Sequence, residues 1–205
     1  MAINRKKSIT FGDAQKAAHP TAYSSMVKPV GSLCNLDCHY CYYLDKSELY
    51  GNSQPKMDYD LLEEYIRQYI ESNDISVDTF CWHGGEPLLA GIDYFRKAME
   101  LQHKYRGDKR IENTLQTNGT LINQEWCGLF RENNFLVGVS IDGPRDIHDT
   151  FRKDKGGHPT FDKIIAGIRL MAASGVEYNT LTTVNKLSEG RGAEVYQFLK
   201  SIGSR

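Results

Sequence analysis

Three cysteines, Cys34, Cys38 and Cys41, stand at spacings of four and three in the turn-rich stretch CNLDCHYCYY, just after an apolar run that ends at Leu33. So short a loop can fold three thiolates onto one centre, and soft thiolates select zinc or iron–sulfur clusters. The other two cysteines, Cys81 and Cys127, lie far along the chain. A closed structural zinc site wants a fourth protein ligand, commonly from a second close pair. Three thiolates leave a metal position open, and an open position is what chemistry needs. The spacing supports three readings: a cubane iron–sulfur cluster, a zinc ion completed by His39 or His83, or three packed thiols without metal.

Three further stretches carry candidate chemistry. Trp82-His83-Gly84-Gly85-Glu86-Pro87 pairs two glycines, which permit positive φ and close approach of backbone to a ligand; it also reads as a tight turn. Gln116-Thr117-Asn118-Gly119-Thr120 contains an Asn-Gly turn signal. Ser140-Ile141-Asp142-Gly143-Pro144 is followed by His148, Asp149, Arg152 and Asp154, polar side chains that bind a ligand or satisfy a turn. Cys81 and Cys127 read as packing residues, and the six histidines form no pattern such as HExxH. Tyr42 and Tyr43 either line a pocket or cover the cysteine loop from solvent.

The elements that position these stretches are legible from periodicity. Ala22 to Leu33 reads as a first strand, and Asp58 caps a helix whose Leu62, Tyr65, Ile66, Tyr69 and Ile70 form one apolar face. Strands follow at Ile75 to Trp82, Ile111 to Gln116, Phe135 to Ile141 and Val176 to Val184. Between and after them, helical faces are marked by Phe95, Ala98 and Met99; by Trp126, Leu129 and Phe130; by Phe161, Ile164, Ile165, Ile168 and Ala172, ending at Gly175; and by Val195, Phe198, Leu199 and Ile202. Strand then helix, five times over, predicts a parallel sheet with helices outside. Each candidate stretch falls where a strand gives way to a loop, and ligands gather at the carboxyl ends of such strands. One site fed by four loops is the expectation.

The cysteine loop resembles that of the radical S-adenosylmethionine (SAM) superfamily, with Tyr40 matching the aromatic residue before the third cysteine. GGEP is similar to the second hallmark of that family. CNLDCHYCYYL, CWHGGEPLL, LQTNGTL and SIDGP with its following His-Asp resemble the anaerobic sulfatase-maturating enzymes. The resemblance implies a [4Fe–4S] cluster on Cys34, Cys38 and Cys41, with SAM on its fourth iron. It further implies SAM contacts from Tyr40, Gly84, Gly85, Glu86, Ser140 and Arg152; an arginine suits the methionine carboxylate. The implied fold is α/β, an incomplete parallel (β/α)6 partial TIM barrel of the radical SAM type, of which the chain holds the first five βα units. The implied reaction is oxidation of a sulfatase cysteine or serine to Cα-formylglycine, driven by a 5′-deoxyadenosyl radical. The implied partners are the sulfatase polypeptide and an electron donor such as flavodoxin or ferredoxin. In the family, the proton acceptor and a C-terminal domain with auxiliary clusters lie beyond the equivalent of Arg205, so no catalytic residue is assigned in this chain, which reads as an N-terminal part. The alternatives are another radical SAM peptide-modifying maturase, or a zinc-stabilised interaction domain without catalysis.

Composition sets the remaining bounds. The chain has 205 residues, 40% hydrophobic and 25% charged, enough for one substantial core. A net charge of −1 leaves no footprint for nucleic acid or an anionic membrane. No run approaches the ~20 apolar residues of a membrane span, and the basic start MAINRKKSITF lacks the apolar segment of a secretory signal. Clustered cysteines fit a reducing compartment better than disulfides. The expectation is a cytoplasmic protein, with residues 1–21 as a loose tail and 22–205 as one core domain.

Overall fold

The computed structural model describes Thr10, Gly12, Asp13, residues 22–44, Lys46, Glu48 and residues 56–204. Apart from Thr10, Gly12 and Asp13, the expected tail at 1–21 lies outside the described residues. Five strands, β1 (Ser25–Val27), β2 (Val77–Trp82), β3 (Arg110–Thr117), β4 (Phe135–Ser140) and β5 (Glu177–Leu181), pair in sequence order, every neighbour parallel. Helices α1 (Tyr59–Ser72), α2 (Ile92–Tyr105), α3 (Gln124–Glu132), α4 (Arg145–Phe151), α5 (Phe161–Ala173) and α6 (Gly192–Ser201) connect or follow them. The architecture is the expected partial barrel of five βα units. No helix among the described residues is long and apolar enough to cross a membrane.

Local chemistry accounts for the helix limits. The Asp58 carboxylate accepts from the Leu61 N–H at 2.8 Å, and the Asn123 side chain accepts from the Trp126 N–H at 3.0 Å, satisfying donors that the first turn leaves free. Helix α5 ends as the sequence predicts: Gly175 has φ +70°, Gly175 N–H donates to Ala172 O, and Val176 N–H donates to Met171 O. Successive strand residues face opposite sides of the sheet. Phe80, Trp82, Leu115, Val137 and Val139 are buried under the helices. Across that layer Trp82, Phe95, Trp126, Phe130 and Phe135 make consecutive ring contacts at 5.2–5.6 Å. The other face carries Met26, Thr79, Cys81, Thr114, Gln116, Ser140 and Leu181, none of them buried.

Four predicted strands are shorter than expected, two of them by only one or two residues and the first and last by more. The first covers Ser25–Val27 rather than Ala22 to Leu33, because Pro29 has no N–H and two turns follow, Gly31 N–H to Lys28 O and Leu33 N–H to Val30 O, both 3.0 Å. The last stops at Leu181 because the Thr182 hydroxyl donates to Ile141 O and the Thr183 N–H donates to the Asp142 side chain, replacing ladder bonds with side-chain ones. Helix α4 has no counterpart in the periodicity. It spans one charged heptad, RDIHDTF, of which only Ile147 and His148 are buried.

Candidate functional site

The cysteine loop is clamped from two directions. On one side its backbone runs along the segment after α4: Asp37 N–H donates to Lys153 O at 2.8 Å, His39 N–H to Phe151 O at 3.1 Å, and Leu36 bridges Asp154. On the other side the residues leading into Cys34 are bonded to the loop after β2. His83 N–H donates to Val27 O at 2.9 Å, Gly85 N–H to Gly31 O at 2.9 Å and Glu86 N–H to Leu33 O at 2.8 Å. The two backbones lie so close that a Cβ on Gly85 would stand 2.1 Å from Leu33 O and 2.5 Å from Ser32 O. Gly84, at φ +124°, leaves no room either, with Gly31 O 2.8 Å from the position of a Cβ. The paired glycines are a steric requirement of the cysteine loop.

A cavity of about 500 Å³ opens at the carboxyl ends of the strands. Cys34, Cys38 and Cys41 line it together with Tyr40, Gly84, Gly85, Ser140 and Arg152, so eight of the nine predicted site residues face one space. The ninth does not. Glu86 is fully buried and turned inward, its carboxylate accepting from the Thr117 hydroxyl at 2.8 Å, the Asn118 N–H at 2.7 Å and the Leu88 N–H at 3.1 Å. Burial pushes its pKa up to about 7, against these three bonds, which pull it down. Glu86 therefore ties the loop after β2 to the loop after β3. Tyr42 and Tyr43 also line the cavity, their rings 4.2 Å apart and Lys28 Nζ 5.2 Å from the Tyr43 ring.

Asp142 is the residue that sequence reasoning passed over as part of a turn. It is fully buried, and Arg152 Nε stands 3.1 Å from its Oδ2. That approach is an ion pair by distance, although the Nε–H is not aimed at an acceptor. The Tyr40 hydroxyl donates to the same oxygen, and Thr183 N–H donates to Oδ1 at 3.1 Å. The Arg152 guanidinium also sits 5.5 Å from the Tyr40 ring centre. Burial raises the Tyr40 phenol pKa, which keeps the donor protonated.

Behind this group, Asp142 N–H donates to His148 Nδ1 at 3.3 Å, which places the histidine proton on Nε2. Nε2 lies 3.1 Å from the Thr160 hydroxyl, which in turn donates to Arg152 O at 2.8 Å. Burial first, and Arg152 second, lower the His148 pKa to about 4. The imidazole is thus a neutral strut between the two charged residues. Gln116, in one of the stretches of candidate chemistry but given no role by the sequence, donates from its Nε2 to Ser140 Oγ at 2.9 Å. Gln116 lies across Gly138, where a Cβ would be 2.3 Å from Gln116 Oε1.

Three thiols on one cavity suit either a zinc ion or an iron–sulfur cluster. Among the described residues no group of three or more His, Cys, Asp or Glu side chains is already arranged around a single ion position. A zinc ion draws its thiolates to about 2.3 Å, whereas a cubane presents a separate iron to each. His83 Nδ1 accepts from Gly84 N–H at 2.8 Å, which occupies one of the nitrogens a zinc ion would use. Burial pushes the Cys38 pKa up to about 11, so its thiolate form calls for a cationic partner.

A parallel βα partial barrel whose strand ends gather three cysteines, a glycine pair and a buried arginine on one cavity defines an α/β protein with a thiol-lined site. The family model of the radical SAM superfamily matches residues 29–199, and the chain belongs to that superfamily, whose cofactors are a [4Fe–4S] cluster and SAM. The chain is 50% identical over 178 residues to a serine-type anaerobic sulfatase-maturating enzyme of Bacteroides thetaiotaomicron, a match covering 86% of this chain and 43% of that protein. It is 38% identical to a cysteine-type enzyme of Clostridium perfringens, over 86% of this chain and 48% of the relative. A solved structure of native anSMEcpe with bound AdoMet and the Cp18Cys peptide superposes with TM-score 0.80 at 38% identity, covering 87% of this chain and 47% of that one. Streptococcus suis SuiB bound to its precursor peptide SuiA shares the fold, at TM-score 0.66 and 16% identity. The chain spans about half the length of the curated relatives it matches.

Proposed function

We propose that this chain is the radical SAM part of an anaerobic sulfatase maturase. In this reading it binds one [4Fe–4S] cluster on Cys34, Cys38 and Cys41 and SAM beside it, and serves to oxidise a cysteine or serine of a sulfatase polypeptide to Cα-formylglycine. The observation that carries the reading is the convergence of the three thiols, the Gly84–Gly85 backbone and Arg152 on one cavity. Held by these residues, cluster and SAM would supply the one-electron radical chemistry needed to oxidise the substrate residue.

The chain's own residues bind, orient and shield. The backbone of Gly84 and Gly85 lines the cavity and offers carbonyl oxygens to the methionine amine, with the Glu86 side chain holding that backbone in place rather than touching the ligand. Arg152 presents its Nη groups, which bond no described residue, to the methionine carboxylate. Ser140, with Gln116 donating to its oxygen, has its own hydroxyl proton free to donate toward SAM. Tyr40 and Tyr43 wall the cavity and exclude water from a radical. A reducing partner such as flavodoxin or ferredoxin supplies the electron.

Anaerobic reconstitution with iron and sulfide, then dithionite, SAM and matched cysteine- and serine-containing sulfatase peptides, tests the reading. The expected result is iron at cluster stoichiometry, 5′-deoxyadenosine, and the mass change of formylglycine in one or both peptides. A chain that holds a cluster yet cleaves no SAM overturns it.

A further inference from the structure

The motif Gln116–Thr120 does more than turn the chain. We propose that the Asn118 carboxamide donates a hydrogen bond to the Cys34 sulfur and thereby raises the reduction potential of the cluster; this rests on the cluster reading above. Asn118 is 7% exposed, and its Nδ2 lies 3.7 Å from Cys34 Sγ, within hydrogen-bond reach of sulfur. The orientation of the amide is determined by its neighbours. Oδ1 accepts from Thr120 N–H at 3.0 Å and from the Thr120 hydroxyl at 2.7 Å, so a reversed amide would set NH₂ against a backbone N–H. The two Nδ2 protons then go to Asn35 Oδ1, at 2.8 Å, and to the sulfur. The residue as a whole is held by its backbone N–H on the buried Glu86 carboxylate.

The consequence is an unequal set of thiolates. Cys34 receives a second donor, Leu36 N–H at 3.4 Å, whereas no hydrogen bond to the sulfur of Cys38 or Cys41 is formed among the described residues. Reducing a cluster adds negative charge that spreads onto its thiolate sulfurs. An N–H dipole aimed at one of them stabilises the reduced form more than the oxidised one, so the potential rises. Asn118 is a positioning and tuning residue: it touches a cluster ligand rather than substrate.

The test is an EPR-monitored redox titration of the reconstituted chain, with iron analysis and electron–nuclear double resonance in H₂O and D₂O. Asn118→Leu keeps the side-chain size and removes the donor; its midpoint should be more negative than wild type. It should also lose an exchangeable proton coupling, with iron content retained. Asn118→Asp places a carboxylate beside the sulfur and should move the midpoint further down; it serves the same measurement if Asn118→Leu fails to fold. Thr120→Val removes the hydroxyl bonds that brace the Asn35–Asn118 pair but leaves the Nδ2 donor, and should hold the wild-type midpoint. Iron-loaded Asn118 variants with the wild-type midpoint and coupling overturn the proposal. So does a Thr120→Val midpoint displaced as far as that of Asn118→Leu, since the effect would then be structural. A wild-type chain that binds no iron overturns the cluster reading and this inference with it.

Discussion

On the Asp142 carboxylate the Tyr40 hydroxyl, the Arg152 guanidinium and the Thr183 N–H meet, drawn from three different loops. Residue-scale predictions follow from what each partner leaves behind. Arg152→Ala should weaken SAM binding by about 1.5–3 kcal/mol, the range for hydrogen bonds to charged groups. Arg152→Lys should recover only part of that, since an ammonium lacks the planar fork; anaerobic titration calorimetry reads both. Equal affinity in wild type and Arg152→Ala would remove Arg152 from the site. Among the thiols, Cys38→Ala should abolish the cluster absorbance, whereas Cys127→Ala, within the apolar core, should cost stability and keep iron. Iron retained in full by Cys38→Ala would sink the ligand assignment. The three-cysteine loop was legible because its spacing is local; Asp142 was not, because its partner Tyr40 lies 102 residues away in sequence.

Among the elements, the loop after β2 and the cysteine loop form one unit, bonded through Gly85 N–H and Glu86 N–H. Gly85→Ala would drive a Cβ into Leu33 O and must part the two backbones. Gly175→Ala makes a useful contrast: φ there is +70°, but nothing lies within 4 Å of the added Cβ. The second change should cost about 1–2 kcal/mol for left-handed backbone and leave iron binding untouched. The first should cost at least as much and lower cluster occupancy as well, with denaturant unfolding and iron content measured on each. If Gly85→Ala retained full iron at wild-type stability, the steric account of the glycine pair would be wrong.

For the molecule as a whole, the buried His148 couples stability to pH. Its folded pKa of about 4 lies below the unfolded value of 6.5, so between these values the unfolded chain binds a proton the folded one refuses. Stability from this residue is fully present above pH 6.5 and declines as pH falls toward 4, with a slope of up to about 1.4 kcal/mol per pH unit. His148→Asn should flatten that portion of the stability–pH curve of the metal-free chain. A curve of unchanged slope in the variant would assign the acid sensitivity elsewhere. The many surface ion pairs, such as Arg67 with Glu64 and Glu71, contribute little by comparison.

The order of the five strands and of five of the six helices, the parallel architecture and the three-cysteine loop were determined by the sequence itself, because helix and strand periodicities and a loop of eight residues are local properties. The glycine pair was recognisable too, although only packing supplied its reason, the Leu33 and Ser32 carbonyls. Tertiary structure alone decided where Glu86 points, since the donors that turn it away from the cavity, Thr117 and Asn118, arrive from the next strand end. It likewise shortened β1 and β5, where competing turn and side-chain bonds replaced the ladder. Periodicity reports which face of an element is apolar; it does not report which polar group from another strand will meet a given side chain. For that reason the sequence leaves Asp142, Gln116 and Asn118 open between turn and ligand contact, and only the barrel brings them beside Tyr40, Ser140 and Cys34.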